Sequence, residues 1–65
     1  MNELRVFGEP ARVVKREGPY ILVETSKAYW ILVEKDFVQI PVQGFSKEMY
    51  SLEDVLEEFY DFVRV

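Results

Sequence analysis

Residues 50–65 read Tyr-Ser-Leu-Glu-Asp-Val-Leu-Glu-Glu-Phe-Tyr-Asp-Phe-Val-Arg-Val, and this stretch decides the fold class. Leu52, Val55, Leu56, Phe59, Phe62 and Val63 recur at three- and four-residue steps, the spacing of one helix stripe facing a core. Ser51 stands where an N-cap belongs: its hydroxyl can accept from an amide of the first helical turn. Asp54, three residues on, can reach back to the Ser51 amide in a weaker version of the capping box. Tyr50 and Val55 occupy the two positions of a hydrophobic staple. The sequence therefore predicts one capped, amphipathic C-terminal helix.

Outward from the helix, the preceding residues carry strand signals. Segments 3–7, 11–16, 20–24, 28–33 and 37–42 are rich in β-branched and aromatic side chains. Between them fall Gly8-Glu9-Pro10, Glu17-Gly18-Pro19, Thr25-Ser26-Lys27 and Glu34-Lys35-Asp36, which have turn chemistry. Short strands at this even spacing predict an antiparallel meander. Segment 11–16 mixes Val13 and Val14 with Arg12, Lys15 and Arg16, as a strand near an edge does. Pro41 suits the end of an edge strand, where its missing N–H is harmless.

Residues 20–23 (Tyr-Ile-Leu-Val) and 29–33 (Tyr-Trp-Ile-Leu-Val) do not alternate in polarity. Successive strand residues point to opposite faces, so these two strands are apolar on both sides. One helix covers one face. The other face calls for curling of the sheet into a partial barrel or for a second chain. This argument places Tyr20, Tyr29 and Trp30 at a self-association surface in a homodimer.

The expected fold is α+β: a curved, four- or five-stranded antiparallel β-meander with the helix packed on one face. A small SH3-like barrel with an added helix is the alternative. Residues 1–65 read as a single domain, with the meander in 1–45 and the connection and helix in 46–65.

A chain of 65 residues is near the lower limit for an independent core. It contains no Cys, so disulfides are excluded, and without Cys or His a zinc site is not expected, since carboxylates alone rarely build one. No cofactor and no metal are expected. Ser26, Ser46, Ser51 and Thr25 have no His to serve as base, and the acidic residues have no predicted burial to raise a pKa. The chain is expected not to be an enzyme. No apolar run reaches the ~20 residues of a membrane helix, and residues 1–10 lack the apolar core of a signal peptide. The expectation is a cytoplasmic protein. One Asn, two Gln and no Cys against nine Glu and ten Val give a thermophile-like composition.

Charge is unevenly placed. Residues 1–45 hold six basic and six acidic side chains, whereas 46–65 hold two basic and six acidic ones, leaving a net charge of −4. On the predicted helix Glu53, Glu57, Glu58 and Asp61 share the outer face, and like charges four apart cost a helix about 0.2–0.5 kcal/mol per pair. This face is a candidate docking surface for a basic protein partner. An alternative uses the sheet: Arg12, Lys15 and Arg16 with the aromatics Tyr20, Tyr29 and Trp30 could hold phosphates and stack bases. The net charge opposes that alternative, because phosphate contacts dominate nucleic-acid affinity. The expected function is a small non-enzymatic protein–protein interaction module, homodimeric. The alternative is a small nucleic-acid-binding regulator.

Residues 37–44, Phe-Val-Gln-Ile-Pro-Val-Gln-Gly, lead seven positions past Gly44 to Ser51-Leu52-Glu53-Asp54-Val55-Leu56. Residues 37–63 thereby resemble HicB-type antitoxin domains, in which a strand runs into a proline-and-glycine turn and then into a Thr/Ser-capped helix. Pro41, Gly44, Ser51, Leu52 and Leu56 match in order; Gln43 stands where the family usually has a second proline, and Val55 where it has a small residue. The resemblance implies neutralisation of a small basic RNA-cleaving toxin, with the acidic helix as a contact surface.

Overall fold

The computed structural model describes residues 4–64. Glu3, the first residue of the predicted strand 3–7, and Val65, the end of the helical stretch, lie outside the described residues. The elements are β1 (Arg5–Val6), β2 (Glu9–Pro10), β3 (Arg12–Glu17), β4 (Tyr20–Glu24), β5 (Ala28–Lys35), β6 (Val38–Ser46) and α1 (Leu52–Arg64). Strands β3-β4-β5-β6 form one antiparallel sheet in sequence order, and β1-β2 form a separate two-stranded hairpin. The α+β meander with one C-terminal helix is as expected. The sheet is open among the described residues, with β3 and β6 as its edges.

Turn chemistry explains the punctuation. Gly18 at φ 59° followed by Pro19 joins β3 to β4, the pattern of a two-residue turn with a positive φ at its first central residue. Thr25 closes the β4–β5 connection by accepting from the amides of Lys27 and Ala28. Asp36 and Phe37, at φ 52° and 65°, join β5 to β6. Two consecutive positive φ values define a type I′ hairpin turn. Strand β5 therefore runs through Glu34 and Lys35, and Phe37 belongs to the turn rather than to the last strand. Phe7-Gly8 makes the same kind of turn at φ 50° and 81°, which frees Glu9 and Pro10 to pair with Arg5 and Val6.

The last strand is longer than the predicted 37–42. The ladder shifts between Ile31 and Leu32, with Val42 as the extra residue on β6, and pairing then resumes to Ser46. This bulge hides the strand's continuation from a period-two reading, because alternation changes phase across it. Pro41 lies inside β6 beside the bulge, on an edge strand.

The helix begins as its cap predicts. The Ser51 hydroxyl accepts from the Asp54 amide at 3.2 Å, and an Asp54 carboxylate oxygen accepts from the Ser51 amide at 3.2 Å. Val55 and Phe59 are fully buried against Leu22, Tyr29, Ile31 and Phe45, with Val14, Tyr20, Leu56, Phe62 and Val63 at the margin. Leu56 is half-buried and Leu52 exposed, so the buried stripe is narrower than the sequence periodicity.

The second face of the sheet carries its own core of Ile21, Val23 and Leu32. The N-terminal hairpin covers it: Val6 is buried there, with Leu4, Ala11 and Trp30 packed around it. Trp30 lies over Gly44, where a Cβ would meet the indole at 2.5 Å. Phe7 meets the same indole edge-on, with ring centroids 5.1 Å apart. Neither barrel closure nor a second chain supplies this cover.

Two expectations follow. Phe59→Ala should cost about 3–5 kcal/mol and Leu56→Ala clearly less, because only the former empties a fully enclosed site; urea titrations of both variants check the order. Gly44→Ala should push the indole off the sheet, seen as a red shift of Trp30 emission with a lower melting temperature. Unchanged emission would contradict this packing.

Candidate functional site

The acidic face develops as the helix periodicity requires. Glu53, Glu57, Glu58 and Asp61 are exposed. Among the described residues none of the four forms an ion pair, and Lys15, 5.9 Å from the centroid of the Tyr60 ring, is the cation set over the helix.

The cations of β3 and Lys47, just past β6, are engaged, whereas Lys35 at the end of β5 has no ion pair among the described residues. Arg12 donates to Glu24, which also accepts from Lys47 Nζ at 2.6 Å. Arg16 donates to Glu34 at 3.1 Å, and the Gln39 side-chain amide donates to the other Glu34 oxygen at 2.7 Å. Lys15 lies 3.7 Å from Glu17. Hydrogen bonds from Lys47 and then Arg12 hold the Glu24 carboxyl below the usual glutamate range. Hydrogen bonds from Gln39 and then Arg16 do the same for Glu34.

The candidate nucleic-acid residues do not form one patch. Arg12 and Lys15 pair with Glu24 and Leu22 and share the helix side of the sheet, whereas Arg16 pairs with Ile21 on the other side. The candidate self-association residues also divide. Tyr29 is buried under the helix, and Tyr20 packs edge-on against Phe62 with centroids 5.2 Å apart. Trp30 is on the opposite face beneath Phe7. Tyr29 is thus used inside the chain, with Lys47 5.2 Å from its ring centroid.

Apolar side chains facing solvent include Phe7, which lies over Trp30, and Met49, and a run of them follows β5. Phe37 is 98% exposed, and Val38, Ile40 and Val42 on β6 are about half exposed. The signal for it was in the sequence: residues 37–46 contain no charged side chain, in a chain that is 31% charged. A shallow depression between the β4–β5 and β6–α1 connections is lined by Ser26, Lys27, Ser46, Lys47 and Glu48 and holds both signs of charge. Among the described residues no group of acidic side chains is arranged to hold a metal ion, and no helix is long and apolar enough to cross a membrane. Compared with family models, with curated proteins and with solved structures, the chain matches none.

The engaged carboxylates predict a pH dependence. A folded-state pKa lowered below its unfolded value gives stability that is complete above the unfolded pKa and lost as pH falls through the folded one. Glu24 and Glu34 should therefore destabilise the fold progressively in acid. Glu24→Gln should flatten that acid limb in melting curves taken from neutral pH downward. An unchanged acid limb would show that Glu24 gains nothing from Lys47 and Arg12.

Proposed function

We propose that this chain is a small non-enzymatic protein–protein interaction module, homodimeric, whose helix presents an acidic face to a basic protein partner. One observation carries the reading: the division of charge. Arg12, Lys15 and Arg16 on β3 and Lys47 just past β6 each have a carboxylate within the chain, whereas Glu53, Glu57, Glu58 and Asp61 face solvent without an ion pair among the described residues. Like charges aligned on one helix face oppose helix formation, and a basic partner would relieve that repulsion. The antitoxin-like form of this proposal has a small basic RNA-cleaving toxin as the partner, following the resemblance of residues 37–63.

The test is affinity capture with the wild-type chain and with the E53Q/E57Q/E58Q/D61Q variant, each at low and moderate salt. The reading expects a basic protein retained by the wild type, weakened by salt and lost with the variant. A labelled RNA or DNA duplex bound at moderate salt, and released by charge reversal at Arg12, Lys15 and Arg16, would replace it with the nucleic-acid alternative.

A further inference from the structure

We propose that the outer edge of β6 pairs with the β6 of a second copy, antiparallel, about a two-fold axis at Gln39. This rests on the homodimeric part of the reading above and assigns its surface.

The backbone comes first. Asp36 and Phe37 form a type I′ turn, so the flanking Lys35 and Val38 are the hydrogen-bonded pair that closes the hairpin. Bonded and non-bonded pairs alternate along an antiparallel ladder. Glu34↔Gln39 is then a non-bonded pair, and Val33↔Ile40 a bonded one. The N–H and C=O of Gln39 consequently aim away from β5, off the edge of the sheet. The nitrogen of Pro41 also falls on the outer side, where it has no proton to give. One residue further, the bulge at Val42 ends the straight edge. The free edge is thus a short segment centred on Gln39.

That segment fits itself. With Gln39 opposite Gln39 of the second copy, each donates its N–H to the other's C=O. Val38 then lies opposite Ile40 of the second copy. Both side chains are on the helix side of the sheet, next to Val33, and their exposed surfaces would meet. Phe37, at the strained turn, reaches the second copy's Pro41. A longer strand from an unrelated protein would need the amide that Pro41 lacks and the straight edge that the bulge removes.

Charge points the same way. The opposite edge, β3, carries Arg12, Lys15, Arg16 and Glu17, the kind of charged side chains that keep edge strands from pairing. β6 carries none, so two copies of it meet without local repulsion. The net charge of −4 on each copy acts only at longer range. Added salt should therefore strengthen this association, whereas it weakens docking of a basic partner on the helix.

Sedimentation or light scattering over a hundredfold concentration range tests the proposal, at low and high salt. The expected mass climbs from 7.7 kDa towards twice that value, sooner at high salt. Ile40→Lys and Val38→Lys, checked for folding by circular dichroism, should each raise the dissociation constant about tenfold or more. Val13→Lys, on the other edge, should leave it unchanged. Without any substitution, amide exchange at Gln39 should slow as protein concentration rises. A mass of 7.7 kDa throughout would overturn both the pairing and the homodimeric reading. A dimer indifferent to both β6 lysines, with Gln39 exchange independent of concentration, would overturn the β6 assignment alone.

Discussion

The structure depends on one constraint: β4 and β5 are apolar on both faces, and a short chain must cover both. Ile21 and Val23 point one way and Leu22 the other, and none is accessible to water. Burying such side chains contributes about 1.5–3 kcal/mol each, the dominant favourable term in a domain this small. The helix answers for Leu22, Tyr29 and Ile31. Six residues of hairpin, from Arg5 to Pro10, answer for Ile21, Val23 and Leu32. That hairpin is too short to fold alone. It holds because Val6 is buried in the second core and Phe7 abuts Trp30, which itself needs the bare backbone of Gly44.

The polar surface is organised around the same layers. Glu24 gathers Arg12 and Lys47 on the helix side, and Glu34 gathers Arg16 and Gln39 on the other, so these two carboxylates settle much of the sheet's charge locally. The helix keeps its excess of acid on the outside. The two sheet edges differ for the same reason that they differ in sequence. β3 meets solvent with charged side chains, and β6 with valine, isoleucine and glutamine.

Much of the fold was legible because its signals are local. The Ser51–Asp54 cap, the three- and four-residue stripe and the Gly18-Pro19 turn each act within a few residues, and each is where the sequence puts it. What escaped depends on distant contacts. Nothing local says that Glu9 and Pro10 pair with Arg5 and Val6 rather than simply turning, since Pro in a strand is disfavoured by propensity alone. The bulge at Val42 conceals four residues of β6 by shifting the phase of its alternation. Phe37 reads as a strand residue by propensity, yet its positive φ puts it in a turn. Of the candidate site, the acidic face was visible because helix periodicity alone defines it. The roles of Tyr20 and Tyr29 were not, because propensity cannot show which face the helix will choose.

Every strand of the sheet pairs only with its neighbour in sequence, so it can assemble hairpin by hairpin as the chain leaves the ribosome. The N-terminal hairpin precedes the strands that it shields, and that face can close as they form. The other face must wait for Leu52–Arg64. At typical elongation rates of roughly 5–20 residues per second, those 13 residues take on the order of a second to appear. Until that helix packs, Leu22, Tyr29, Ile31 and Phe45 stand bare beside an uncharged edge. The sheet is at its most adhesive in the interval before that helix packs against it.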